Sequence, residues 1–161
     1  MSVARDIVLA YVRPRPVFLR RVTGARDAQA LALLMAACLL IFVSRGPVAQ
    51  RDAIENGADF RIAMGGAMFA WLFIMPLVAY AIAGASHALA RLAGGRGTWF
   101  TARVALFWAL LVASPLWLLN GLTLGFIGPG IQADIVGLIA LLAFLVHWVI
   151  NLSIAEKGVA A

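Results

Sequence analysis

Charged residues are scarce in this sequence. Only 12% of its 161 residues are charged and 64% are hydrophobic, whereas a soluble domain has about 25% charged and about 45–50% apolar residues. Long apolar stretches with so little charge are not stable in water and match the hydrocarbon core of a bilayer. The composition therefore excludes an ordinary soluble domain and predicts an all-α integral membrane protein.

Cysteine is nearly absent as well. The single cysteine, Cys38, excludes an internal disulfide framework and a metal site built from several cysteines. Met35-Ala36-Ala37 before it is similar to a lipoprotein cleavage site, but the apolar run continues beyond it to Val43. Since the apolar region of a signal ends near its cleavage site, we interpret Cys38 as a small apolar residue inside a helix.

The sequence also lacks a recognisable catalytic constellation. Ser86 and His87 are adjacent, so on a helix their side chains point about 100° apart and cannot form a nucleophile–base pair. Ser114 has no Gly-x-Ser-x-Gly pattern around it, and the apolar segments contain no paired aspartates. We therefore predict that the protein is not an enzyme, with no catalytic residues and no metal ligands.

Four apolar segments are present instead, at about 28–44, 62–92, 104–122 and 135–152. A spanning helix needs about 20 residues, so the second segment must tilt, kink at Pro76 or extend beyond the hydrocarbon. Dividing it at Pro76 leaves two halves of about 15 residues without a polar turn, each too short to span. We predict a four-transmembrane-helix bundle over residues 28–155, followed by a short tail at 156–161.

A basic segment, residues 1–27, precedes the bundle. Its apolar residues recur at helical spacing up to Arg13-Pro14-Arg15-Pro16, where the prolines should stop the helix, and a second short segment follows at 17–22. We predict a short N-terminal helix in the membrane interface, with its arginines on lipid phosphates. A partly disordered basic tail is the alternative. The residues of the apolar face are Val3, Ile7, Ala10, Tyr11 and Pro14.

The basic residues also indicate an orientation. Ten of the 13 lie on one side of the predicted bundle and three on the other, and the richer side of a membrane protein is cytoplasmic. We predict a bacterial-type inner membrane protein with both termini in the cytoplasm. Because these residues flank apolar segments, anionic lipid is the expected partner and nucleic acid is not. The candidate lipid-contact or protein-contact residues are Arg13, Arg15, Arg20, Arg21 and Arg96.

Four polar residues lie within the predicted spans toward the cytoplasmic side: Ser86, His87, His147 and Asn151. We interpret them as an intramembrane polar cluster that bonds helices to one another or to backbone carbonyls. Haem ligation by His87 and His147 is an alternative, as is a proton or quinone site. No cofactor is predicted. Small residues at four-residue spacing, such as Gly121 and Gly125, predict close packing between the second and third helices or against an external partner.

Several motifs resemble those of one family. The turn Gly94-Gly95-Arg96-Gly97-Thr98 enters a helix that carries Ser114-Pro115. Pro14-Arg15-Pro16-x-Phe18 and Pro76-x-x-x-Tyr80 lie before and within the earlier spans. Together they are similar to the bacterial branch of the Yip family, the Ypt/Rab-interacting proteins, although four spans replace the usual five and a long polar N-terminal region is missing.

The resemblance implies a small polytopic organiser that works through other membrane proteins, and it supplies no catalytic residues. We therefore predict a non-enzymatic scaffold or assembly factor that contacts a membrane protein partner and anionic lipid. An accessory subunit of a larger bioenergetic membrane complex is the first alternative. A small redox protein that binds haem through two histidines, or binds a quinone, is the second.

Overall fold

The computed structural model describes residues 3–23 and 25–158, and within these ranges it contains helices and no strands. Residues 1, 2 and 24 of the predicted basic segment and residues 159–161 of the predicted tail lie outside the description. The helices are α1 (Val3–Val12), α2 (Pro14–Val22), α3 (Asp27–Asn56), α4 (Phe60–Leu92), α5 (Trp99–Phe126) and α6 (Ile131–Glu156).

Helices α3 to α6 are long and apolar enough to cross a membrane, which confirms the prediction of an all-α chain with four candidate spans. Every helix extends beyond its predicted apolar segment. The largest difference is in α3, which was expected to end near Ser44 but continues through Pro47 to Asn56. A helix is held by backbone hydrogen bonds, so it continues where the side chains turn polar, and hydropathy alone marks its ends too early.

The connection from α3 to α4 is short because both helix ends are satisfied locally. Gly57 adopts a left-handed conformation with φ of +66° and ends α3, as glycine readily does. Asp59 then caps α4, since its side chain accepts hydrogen bonds from the backbone N–H groups of Arg61 and Ile62. The chain therefore reverses within three residues.

Helix α4 contains a π-helical segment, Ala70–Ile74, which is separated from Pro76 by Met75. Proline has no N–H to donate, and in a regular α-helix its ring collides with the carbonyl four residues earlier, here that of Leu72. A wider π turn relieves such a collision. An inserted wide turn thus lies before Pro76, in the long segment that was expected to tilt, kink or extend beyond the hydrocarbon.

Helix α5 is the centre of the molecule. In its most apolar stretch 61% of the residues are buried, against 6% in α4. Val104, Phe107, Trp108 and Val112 are fully buried, and most of the packing between long helices is that of α3 and α6 against α5.

Gly121 and Gly125 lie where α5 crosses α3. A Cβ at Gly121 would overlap the carbonyl oxygen of Ser44, and one at Gly125 would overlap Pro47. Glycine therefore permits close approach here, as the sequence predicted. For Gly121 and Gly125 the neighbour is the first long helix, whereas the second helix or an external partner was expected.

Contacts at the two ends show that consecutive long helices are antiparallel. At one end Arg103 forms a 3.1 Å ion pair with Asp27, and the N–H of Arg96 donates to the carbonyl of Glu156. At the other end Arg51 donates to the carbonyl of Gly125 at 3.4 Å. The first end also carries α1 and α2, and we call it the basic end.

Candidate functional site

Helices α1 and α2 form a hairpin at the basic end, divided at Pro14 because proline at the first position of α2 has no N–H for α1 to use. Asp6 of α1 is buried and forms ion pairs with Arg20, at 3.4 Å, and with Arg21 of α2. The guanidinium of Arg21 also lies 4.9 Å from the centre of the Trp108 ring. One carboxylate between two guanidinium groups leaves this cluster with a formal charge of +1.

Tyr11 forms a hydrogen bond between the hairpin and the central helix, α5. Its hydroxyl donates to the carbonyl of Val112 at 2.9 Å, and burial raises the pKa of Tyr11 above its ordinary value, so the hydroxyl stays protonated at neutral pH. Val112 lies about 20 Å along α5 from Trp99 at 1.5 Å per residue. The hairpin therefore packs against the first half of α5, and its location in a membrane interface stays a prediction.

His147 of α6 contacts the same hairpin. Its Nε2 lies 3.4 Å from the carbonyl oxygen of Ala10, and its Nδ1 lies 2.8 Å from that of Ala143. The Tyr11 ring meets the imidazole edge-on, with centroids 4.8 Å apart. Both ring nitrogens thus face backbone carbonyls.

His87 of α4 has a different set of partners. Its Nδ1 lies 2.7 Å from a carboxylate oxygen of Glu156, whose other oxygen accepts from the N–H of Gly97 at 3.0 Å. Because an ionised carboxylate only accepts hydrogen bonds, Nδ1 carries the hydrogen. Trp99 packs edge-on against the imidazole at 4.7 Å. The contacts of Glu156 with His87 and Gly97 hold the connection between α4 and α5 next to the last turn of α6.

The four residues predicted as one polar cluster do not hydrogen-bond to one another. Ser86 donates to the carbonyl of Ile82 in its own helix, and the two histidines bind different elements. Asn151 is buried, and its side-chain amide has no hydrogen-bond partner among the described residues. Haem ligation by His147 would require breaking one of its two carbonyl contacts.

The predicted arginines occupy different environments at the basic end. Arg13 is exposed at the α1–α2 junction, and Arg96 is exposed after α4. Arg15 lines a cavity of about 260 Å³ with Leu19, Ile154 and Lys157. Arg20 and Arg21 are the two that line a groove of about 470 Å³ between the end of α2 and the start of α3.

Asp6 and Glu156 are the site residues that reasoning from the sequence missed. Glu156 was assigned to the tail, but it is the last residue of α6 and its side chain is 9% exposed. A signal was available for both, because Asp6 is the only acidic residue among the first 26, and Glu156 is the only one after Asp134. An isolated acid in a basic region favours an ion pair, but the sequence does not say with which residue.

No family model, curated protein or solved structure matches the chain. The class is thus defined by the fold alone: over the described residues the protein is helical, with four candidate membrane spans. The likeness to the Yip family stays a prediction.

Proposed function

We propose that the protein is a non-enzymatic membrane organiser. In this proposal it crosses the bacterial inner membrane four times, binds another membrane protein along α4, and holds anionic lipid at its basic end. The observation that carries the proposal is the unequal burial of the four long helices. In the most apolar stretch of α5 61% of the residues are buried, whereas in that of α4 6% are buried.

The outer half of α4 supports this proposal in more detail. The segment Phe60–Phe69 has no buried residue, and α4 packs against α3 there, while its contacts with α5 and α6 come from the part after the π segment. Phe69 and Phe73 stack on each other on the exposed side, with ring centroids 5.8 Å apart. Transmembrane helices associate through such packing surfaces, because lipid itself gives no hydrophobic drive for helix pairing.

The hairpin supports the lipid part of the proposal. A buried acid keeps two arginines at a fixed place, and Arg15 and Lys157 lie near one another around the adjacent cavity. Basic residues held at one end of a helical bundle attract anionic headgroups by about 1 kcal/mol each. The resemblance to the Yip family agrees with this type of function.

The test is photo-crosslinking in native membranes, with benzoylphenylalanine replacing Phe73 of α4. The matched control replaces Leu142 of α6, whose side chain is 50% exposed against 59% for Phe73. We expect a discrete crosslinked protein from the α4 position and none from the α6 position. A product of twice the chain mass alone would identify self-association and contradict the proposal, as would identical patterns at both positions.

A partner in fixed stoichiometry with the chain would assign the protein as an accessory subunit of a larger complex. A partner in variable amount would assign it as an assembly factor. Native mass spectrometry of the complex extracted in mild detergent distinguishes these two results.

A further inference from the structure

We propose that the groove between α2 and α3 is a binding site for one anionic glycerophospholipid, with its phosphate at Arg20 and Arg21. The inference rests on the proposed contact with anionic lipid and narrows that contact to one place. The groove has a volume of about 470 Å³ and lies between the last turn of α2, the connection through Ala25, and the first turns of α3.

The mouth of the groove suits a phosphate because its two guanidinium groups are already positioned. Asp6 bonds to one Nη2 of each arginine, and its side chain is 8% exposed. Arg21 is further fixed by the Trp108 ring. Held arginines lose less conformational freedom on binding than free ones, and their fork of N–H groups matches phosphate oxygens.

The charge at the mouth favours an anionic headgroup over a zwitterionic one. Asp6 offsets one of the two positive charges, so the cluster keeps a formal +1 in a partly desolvated setting, with Arg20 49% and Arg21 22% exposed. Gln29 adds a further donor, since its side-chain oxygen accepts from the N–H of Arg26 and leaves its amide N–H groups for a ligand.

The floor of the groove explains why the ligand is a lipid rather than free phosphate. Ala30 and Val104 are buried beneath it, and Leu33 continues the apolar wall one turn further along α3. The groove thus begins at charged groups and leads along α3 toward its apolar middle. A molecule with a phosphate next to acyl chains matches both parts.

The test is lipid titration of the delipidated protein in detergent, read by native mass spectrometry. Phosphatidylglycerol and phosphatidylcholine with the same acyl chains are compared. The test variant is R20Q, because Asp6 keeps Arg21 as a partner and the hairpin stays paired. The matched control is R15Q, which removes the same charge from the same helix but lies at the neighbouring cavity.

We expect the native protein to hold one phosphatidylglycerol in preference to phosphatidylcholine. R20Q should weaken this binding about fivefold, the effect of roughly one basic residue near an anionic headgroup. R15Q should weaken it less than R20Q does, because Arg15 lies at the neighbouring cavity, and R20K should recover part of the loss in R20Q by restoring the charge without the fork. Thermal unfolding of each variant checks that the hairpin remains folded.

Equal weakening of phosphatidylglycerol binding by R20Q and R15Q would show that the lipid is attracted to the whole basic end. This result would overturn the groove as the binding site but would leave the lipid part of the proposed function in place. No preference for phosphatidylglycerol in the native protein would overturn both. Displacement of the lipid by millimolar glycerol 3-phosphate would show a site for the headgroup alone and would overturn the lipid assignment. The crosslinking result at α4 is independent of all three.

Discussion

Asp6 and Glu156 are two acids in basic surroundings, and each joins parts of the chain that are far apart in sequence. Asp6 pairs α1 with α2, and Glu156 pairs α6 with α4 and with the turn before α5. A buried carboxylate is stable only when its oxygens are hydrogen-bonded. The two acids therefore fix geometry at the basic end that apolar packing alone does not specify.

Replacing Glu156 by alanine should destabilise the protein measurably. The change leaves the Nδ1–H of His87 and the N–H of Gly97 without their acceptor, and an unsatisfied buried donor costs about 1–3 kcal/mol. The measurement is thermal unfolding in detergent, and the readout is the fraction of the protein that remains monodisperse at each temperature.

The matched control is Glu55→Ala. Glu55 is also ion-paired, to Arg51 four residues earlier, but its side chain is 50% exposed, and exposed pairs contribute about 0–1 kcal/mol. Equal destabilisation by the two changes would show that the Glu156 contacts contribute no more than a surface ion pair.

For individual residues, the sequence predicts that a polar side chain within an apolar segment has a hydrogen-bond partner, but it does not predict which residue that partner is. Histidines and a serine within apolar segments were expected to bond to other helices or to carbonyls, and His147 and Ser86 do face carbonyls. That His87 would meet Glu156 was not predictable, because 69 residues separate them and helical periodicity relates only near neighbours in sequence.

At the scale of helices, the crossing of α3 and α5 depends on glycine. The backbone of Ser44 comes so close to Gly121 that a side chain has no room. The sequence showed this surface through the spacing of Gly121 and Gly125. The pattern marks a face but does not identify its neighbour, so the second helix or an external partner was expected.

Gly121→Ala should therefore separate or distort α3 and α5 and lower the free energy of unfolding by about 1–3 kcal/mol, the usual cost of overpacking. Gly65→Ala is the control, since a Cβ at Gly65 meets nothing within 4 Å. Alanine is the better helix former by about 1 kcal/mol, so the control should be neutral or stabilising. Thermal unfolding of both variants measures the difference in stability. An equal loss of stability in both would show that the effect comes from replacing a glycine within a helix and not from the contact between α3 and α5.

The four long helices and one N-terminal helix were predictable, whereas the helix ends and the helical state of the second N-terminal segment, α2, were not. The apolar runs in the sequence located all four long helices, and the prolines after Arg13 located the division between α1 and α2. The continuation of α3 past Ser44 was missed because the apolar run ends there while the helix continues to Asn56. Pro47 lies inside α3 and packs against Gly125, a tertiary contact that local sequence does not contain.

At the scale of the whole molecule, the contacts at both ends give the relative directions of the helices, and the asymmetry of basic residues adds an orientation in the membrane. That orientation predicts that the α3–α4 connection faces outward and that the residues after α6 face the cytoplasm. Ala58 and Lys157 are exposed at these two places.

Cysteine labelling checks this orientation. In a Cys38→Ala background, Ala58→Cys should react with a membrane-impermeant maleimide in spheroplasts, whereas Lys157→Cys should react only after permeabilisation. Cys38 itself is buried, so its replacement removes background without exposing a new surface. The reverse labelling pattern would invert the orientation and place the lipid groove on the outer leaflet.

The central position of α5 also has a consequence for biogenesis. A chain emerges from the ribosome from its N-terminus, so α1 to α4 are made before the helix that most of them pack against. The contacts of Arg21 with Trp108, of Tyr11 with Val112 and of Ser44 with Gly121 cannot form until these residues of α5 have been made. We therefore expect the first half of the protein to be less stable than the whole until α5 has been made, and the chain to reach its final packing only after that step.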